Sequence, residues 1–395
     1  MRMKTKEALP QYKTRGTTMN TLNENTKIIY CGFDVHKDTN SSCCFDPQTQ
    51  QYFGQTKFKA TYRNTINYLQ KIKQLFDEEV FIICGYEAGP TGLGLCREIQ
   101  KAGFSCVVIA PTTIRRDNSK VKTDKRDAKL LAETLAYHTY SPVQLPDEKI
   151  EAMKEYTRAR NSKKLKLKKA KQELLSFMLR TGKVYPKKQN EGNWTSKHFA
   201  WLKGIHYEDP WLQESFEVYL TTVTNLMVEV QSMDERIIQM ADDEEIKEKV
   251  DRLICISGID IMTAVSIVVE IFEFTRFQTA RSFAHFLGLC PGEDSSGLKE
   301  KRVSITKAGN SVVRKLLTES SQSIKKTSKV KSKRIIQRQK GASPMVVAYA
   351  DRAVKRIRTK MFMMERRGVK TNVATTAGAR ELACFIWGMM TDNIA

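Results

Sequence analysis

From Leu212 to Met240 the apolar residues Leu212, Phe216, Tyr219, Val223, Leu226, Val230, Met233, Ile237 and Met240 recur at alternating intervals of four and three. A 3.5-residue repeat kept up over about four heptads dictates a long helix with one continuous apolar seam. That seam must be covered. A second copy of the chain can cover it in an intermolecular coiled coil, or the preceding helix can cover it in an antiparallel hairpin, and the two are compatible. Residues 207–250 around the seam carry a net charge of −9, so this helix is a poor nucleic-acid contact.

The rest of the chain has the opposite sign. The 395 residues carry a net +22, with +3 over 1–26, +4 over 27–146, +10 over 147–206 and +14 over 251–395. Such a chain meets a polyanion, with nucleic acid ahead of a membrane surface. The longest apolar stretch, Leu253–Phe274, is interrupted by Asp260, Glu270 and Glu273 and does not read as a membrane span. Residues 1–26 are polar, without a secretory pattern, and read as a disordered basic leader. The nine cysteines form no C-x-x-C pair, which fits reduced, mostly buried thiols in a cytosol.

Residues 27–146 alternate strand and helix patterns. Strands are predicted at Lys27–Val35, Ser42–Phe45, Gln51–Phe58, Val80–Cys84 and Ser105–Ile109, and helices at Asn64–Phe76, Gly92–Ala102 and Lys125–Tyr137. The order βββαβαβα calls for a mixed sheet covered by helices. Residues 147–180 read as one long helix. Eight of the fifteen residues from Arg158 to Gln172 are basic: Arg158, Arg160, Lys163, Lys164, Lys166, Lys168, Lys169 and Lys171. Phosphate contact is the expectation for them. Residues 181–210 read as a linker, where Trp194, Trp201 and Trp211 are expected to pack. The segment 251–395 reads as helical, with two apolar helices around the Ser257-Gly258 turn, a basic stretch at Lys325–Lys340 and a closing helix at Glu381–Met390. The domains expected are 1–26, 27–146, 147–250 and 251–395.

Four acids stand at conspicuous places in this first fold. Asp34 lies inside the first strand, in GFDVHKD. Glu87, in YEAGPTG, follows the Val80–Cys84 strand, and Asp124 and Asp127, in KTDKRDA, share one face at the start of a helix. A carboxylate in a buried strand needs a partner, and convergence on divalent cations is one solution. Two such ions stabilise both oxygens of a phosphodiester exchange. The plainer readings are an N-cap for Asp124, a strand end for Glu87 and a structural or solvated role for His36 and Lys37. His138, His198, His206 and His285 are too dispersed to form a metal site. The topology and its acids resemble the ribonuclease H-like fold of RuvC-like junction resolvases.

Downstream, GLCPGEDSSG is followed by ITKAGN and VRKLL. Ser295 and Ser296 precede Gly297, with Lys299, Lys301, Arg302, Lys307 and Arg314 close behind in sequence, able to hold a phosphate. GFDVHKD, YEAGPTG, KTDKRDA and this last motif, in this order, resemble the DEDD-type insertion-sequence transposases, whose relatives include Piv-like DNA invertases and bridge-RNA-guided recombinases. The likeness spans about residues 28 to 390. It implies an α/β RuvC-like domain plus a helical, serine-bearing transposase domain. It implies that Asp34, Glu87, Asp124 and Asp127 hold Mg²⁺, as two ions with Mn²⁺ as a substitute. It also implies that Ser296 is the nucleophile of a transient phosphoserine link, with Ser295 the alternative. The partners implied are double-stranded donor and target DNA, a structured guide RNA met by the basic helix and the linker after it, and further copies of the chain. Those copies would join as a dimer, or a dimer of dimers, through 212–240. The implied setting is a prokaryotic cytoplasm, at the nucleoid. The Ser257-Gly258-Ile259 turn resembles a helix-hairpin-helix element that offers backbone N–H groups to phosphates. Other activities compatible with the pattern are a DNA invertase, a junction nuclease using water, and a non-catalytic nucleic-acid-binding protein.

Overall fold

The computed structural model describes residues 26–114, 123–186, 191–293, 302–328 and 330–394. The predicted leader lies outside the described residues. The chain divides into two compact units, one ending at Leu145 and one beginning at Pro146.

In the first unit, β1 (Lys27–Val35), β2 (Thr39–Asp46), β3 (Gln51–Lys59), β4 (Val80–Glu87), β5 (Ser105–Ile109) and β6 (Pro142–Val143) form one sheet. Its order is β3-β2-β1-β4-β5-β6. β1 is antiparallel to β2 and parallel to β4, so the sheet is mixed, as expected for a ribonuclease H-like domain. Three helices belong to this unit: α1 (Tyr62–Lys73), α2 (Gly94–Lys101) and α3 (Asp124–Ala136). The two-residue alternation of β1 sets the layers. Ile29, Cys31 and Phe33 pack with Leu69 of α1 and Leu95 and Ile99 of α2. Tyr30 faces the other way, toward Leu131 and Leu135 of α3. The register aligns Cys44, Cys31, Cys84 and Cys106 in a row across four strands, all four buried free thiols.

Two expectations need correction here. β4 does not stop at Cys84, and Glu87 is its last residue rather than a residue beyond it. Pairing of Glu87 with Ile109 of β5 extends the strand through Gly85, which sequence pattern alone reads as a break. β6 was not anticipated, because two residues carry no periodicity.

The second unit begins with α4 (Glu148–Arg180), α5 (Ser196–Lys203) and α6 (Pro210–Met240). α4 and α6 form an antiparallel hairpin. Leu174, Phe177 and Met178 pack with Phe216 and Val223 at one end, while Ile150, Met153 and Ile237 share a core at the other. Phe216, Val223, Val230 and Ile237, seven apart, are the buried residues of α6. Tyr219, Leu226, Met233 and Met240 are half-buried and Leu212 is exposed. The hairpin therefore buries one of the two heptad rows and covers the other in part, with Tyr219 and Leu226 packed against the same core and Tyr219 meeting the Phe177 ring.

Then follow α7 (Lys247–Ile254), α8 (Ile261–Ile271), α9 (Ala280–Phe286), β7 (Pro291–Glu293), β8 (Arg302–Ile305), α10 (Ser311–Lys326), α11 (Lys333–Gln339), α12 (Pro344–Arg366) and α13 (Thr371–Met390). Residues 147–250 and 251–395 fall within this one unit. The all-helical expectation for its last part is corrected by β7 and β8, which pair antiparallel and are too short for a sequence pattern. No helix of the described residues is long and apolar enough to cross a membrane.

Candidate active site

The site grows from two glycines. Gly32 of β1 and Gly85 of β4 are register partners. A Cβ on Gly32 would overlap the carbonyl oxygen of Ala128 and the amide nitrogen of Ala132, and one on Gly85 would crowd Leu135. Their bareness lets α3 lie directly on the sheet. Asp34, two residues after Gly32, is on that same face. Glu87 ends the neighbouring parallel strand, one step beyond the Phe33–Tyr86 pair. α3 points its first turn, with Asp124 and Asp127, at this sheet edge. The N-cap is Thr123 and not Asp124, which sits inside the helix, where its charge also suits the helix dipole.

One oxygen each from Asp34 and Asp124 and a ring nitrogen of His36 lie within 4.8 Å of one another. His36 Nε2 is 3.1 Å from Asp34 Oδ2 and 3.8 Å from Asp124 Oδ1. Lys57 of β3 places its Nζ 2.8 Å from Asp124 Oδ2. Register explains its reach, because Lys57 pairs with Ser41 and Ser41 with Asp34, setting all three in one row. Burial raises the Asp34 carboxyl above the ordinary carboxylate range. His36 opposes that shift, and Asp127 and then Asp124 add to it. The ion pair with Lys57 holds Asp124 below its usual range. The acids therefore sit close enough to repel, and Lys57 already offsets the charge of Asp124. Donor chemistry and spacing both fit a hard divalent cation. Asp34 and Asp124 belong to this group and Glu87 and Asp127 do not, although Asp127 is near enough to act on the Asp34 carboxyl. His36, read as structural or solvated, sits between two of the acids. Lys57 was missed, and only strand register reveals it.

Ser295, Ser296, Lys299 and Lys301 lie outside the described residues. The ends of their segment are described. β7 and β8 pair from Pro291–Ile305 to Glu293–Arg302, and Thr306 N–H donates to the Cys290 carbonyl at 3.0 Å. A Cβ on Gly309, at φ +67°, would overlap the Phe286 carbonyl. Arg314 donates to the carbonyls of Leu287 and Ala308 at 2.8 and 2.9 Å, so it serves as a clamp on this base. Lys307 is exposed, and Arg302 lies on β8.

Several basic residues expected to meet phosphate are engaged within the fold. Arg158 grips the buried Glu270 through two bonds of 2.6 and 2.9 Å. Arg160 pairs with Asp234 at 2.5 Å, and Lys163 pairs with Glu229. Lys171 lies over the Trp194 ring. Lys164, Lys166, Lys168 and Lys169 stay exposed, with Lys169 3.6 Å from Glu173. Trp194 and Trp201 pack around His198, while Trp211 is exposed on the first turn of α6. The Ser257-Gly258 turn does join two helices, but its Cys255 and Ile259 carbonyls accept from Gln339 and Arg338 of α11. The Ile259 N–H donates within the turn, to Ile256.

Comparison with known proteins bears on this site. Residues 31–182 match a DEDD transposase model of the IS110 type, and residues 250–336 match the model described as transposase, IS116/IS110/IS902 family. A putative transposase, y4qE, of Sinorhizobium fredii is 36% identical over 81% of this chain and 78% of its own length. The transposase for insertion sequence element IS1533 of Leptospira borgpetersenii is 31% identical over 84% of this chain and 95% of its own. The transposase for IS1111A of Coxiella burnetii is 28% identical over 38% of this chain and 36% of its own.

Proposed function

The chain belongs to the IS116/IS110/IS902 transposase family, and from that premise we propose that it cuts and rejoins DNA strands through a phosphoserine ester, using Mg²⁺ held by its acids. Membership of this family makes it a DNA-cleaving and rejoining enzyme. The observation that carries the metal reading is the meeting of Asp34, His36 and Asp124 at one sheet edge. Asp34 and Asp124 are the central ligands, and Glu87 and Asp127 complete the set from the adjacent strand end and helix turn. Bound there, Mg²⁺ supplies charge stabilisation to the attacking and leaving oxygens of the phosphodiester.

The chain's own residues do the rest. The four acids would hold the cation, His36 holds the Asp34 carboxylate in place at 3.1 Å, and Lys57 holds that of Asp124 at 2.8 Å. The Ser296 Oγ–phosphorus bond forms, the bond to the leaving deoxyribose oxygen breaks, and the proton lost by the serine is balanced by one gained by the leaving oxygen, which departs as a hydroxyl. Attack by another strand's hydroxyl reverses the exchange without ATP. Ser295 is the alternative nucleophile. A structured guide RNA supplies target choice and meets the exposed lysines Lys164, Lys166, Lys168 and Lys169. Copies assemble as a dimer, or a dimer of dimers, through the half-buried row of α6.

The test is strand cleavage by full-length variants. Asp34→Asn and Asp124→Asn are each expected to slow cleavage at least about 100-fold while DNA affinity holds. Wild-type rates in either variant, or full cleavage in EDTA, would sink the metal reading. Cleavage retained by Ser296→Ala and Ser295→Ala would instead mark a nuclease that uses water.

A further inference from the structure

Five polar residues line one face of α12: Arg352, Lys355, Arg356, Thr359 and Lys360, at the i, i+3, i+4, i+7, i+8 spacing of a single helical stripe. Phe385 of α13 forms the opposite wall, and the groove between them has a volume of about 660 Å³. That falls within the size of a nucleotide-scale pocket. A second recess of about 290 Å³ adjoins it, shares Arg356 and Phe385, and is walled by Tyr349 and Trp387. The Tyr349 and Phe385 rings meet edge to face with centroids 5.2 Å apart, and the Arg352 guanidinium stands 5.0 Å from the Tyr349 centroid.

Four cations thus line the groove; Arg352 also donates to the Ile394 carbonyl at 3.2 Å, and Glu381 borders the adjoining recess. Glu381 accepts from Arg356 at 2.7 Å and from Lys360 at 2.6 Å. Burial works against its ionisation, but the two cations hold its carboxyl below the usual range. Glu381 tethers two of the cations and leaves the groove net positive. The stripe from Arg352 to Lys360 is roughly 12 Å long at the helical rise. A cationic row beside an aromatic recess matches a strand whose phosphates follow one wall while an unpaired base enters the other. A duplex keeps its bases stacked inside and has nothing to offer the recess.

We propose that this α12–α13 groove binds a single-stranded segment of polynucleotide, with phosphates on the α12 cations and a base against Phe385. The groove uses none of the four acids and neither serine, and it needs neither assignment to be correct. DNA and RNA strands share the chemistry, so the test carries both.

Full-length protein in metal-free buffer would be titrated into labelled oligothymidine, oligouridine and a short duplex, with fluorescence anisotropy as the readout and thermal melting as the check on folding. Arg352→Ala combined with Lys355→Ala is expected to weaken single-strand binding and to reduce its log–log salt slope by about 1.4. Phe385→Ala, with Phe385→Leu as the milder variant, is expected to weaken single strands about tenfold and to leave duplex binding unchanged. Glu381→Gln is expected to tighten single-strand binding several-fold by releasing Arg356 and Lys360, a gain that a purely structural ion pair would not give. Whichever of the two strands responds is the occupant. Unchanged affinity for both single strands in folded variants, or equal losses for single strand and duplex, would overturn the proposal.

Discussion

At the scale of single residues, the candidate site depends as much on what is missing as on what is charged. Gly32 holds α3 against β1, and Asp124 and Asp127 ride on α3. Gly32→Val is expected to destabilise the protein by about 1–3 kcal/mol through overpacking. It should also abolish cleavage, and denaturant unfolding beside an activity assay reads both effects. Lys57 holds Asp124 by an ion pair where a cation would bind. Lys57→Met is expected to tighten Mn²⁺ binding severalfold, since it removes a competing charge a few ångströms from a ligand. Calorimetry would measure it, and weaker binding would show that Lys57 supports the site rather than competes for it. Asp34 and Asp124, the two acids that meet, stood out in the sequence because one lies in a recognisable strand and the other at a recognisable helix start. Lys57 did not, because its place depends on register through two strand pairings, and a one-residue slip would turn it to the other face. His36 was visible, but its distance to two carboxylates is a tertiary fact.

At the scale of elements, the heptad run alone sets the length and phase of α6, and the fold buries its two rows to different depths. Phe216, Val223, Val230 and Ile237 are buried against neighbouring elements of the same chain. Ile237→Ala is expected to cost about 2–4 kcal/mol in urea unfolding. The other row, with Tyr219, Leu226 and Met233 half-buried, is the one assigned to a second copy. Met233→Glu, at the half-buried position of that row that belongs to neither core, is therefore expected to lower the oligomeric state in light scattering with little loss of monomer stability, and an unchanged mass would remove that row from assembly. Sequence pattern resolved α4 and α6 well, because a face repeated over many turns averages out exceptions, but found only the second half of α13. β6, β7 and β8 are two to four residues long and escaped it. α12 escaped as well, although Val346, Ala350, Ala353, Ile357 and Met361 form its buried stripe. Its cations draw attention away from that stripe.

At the scale of the whole molecule, the net +22 conceals a division of labour. The opposed charges of 147–206 and 207–250 are partly spent on each other, through Arg160–Asp234, Lys163–Glu229 and Lys149–Asp243. A count along the sequence reads Arg160 and Lys163 as phosphate contacts, whereas folding assigns both to the hairpin. The exposed remainder should still make nucleic-acid binding fall steeply with salt. Assembly through the apolar row of α6 should respond far less, and measuring both over one salt series would separate the two interfaces. The central claim is the metal-dependent serine ester. Its most direct test is to quench wild-type protein on DNA carrying its cleavage site, digest it and locate the covalently attached nucleotide by mass spectrometry. The expected result is an adduct on Ser296 that forms with Mg²⁺ and is absent in EDTA and in Asp34→Asn. Cleaved DNA without any protein adduct, or an adduct that forms equally well without metal, would contradict it.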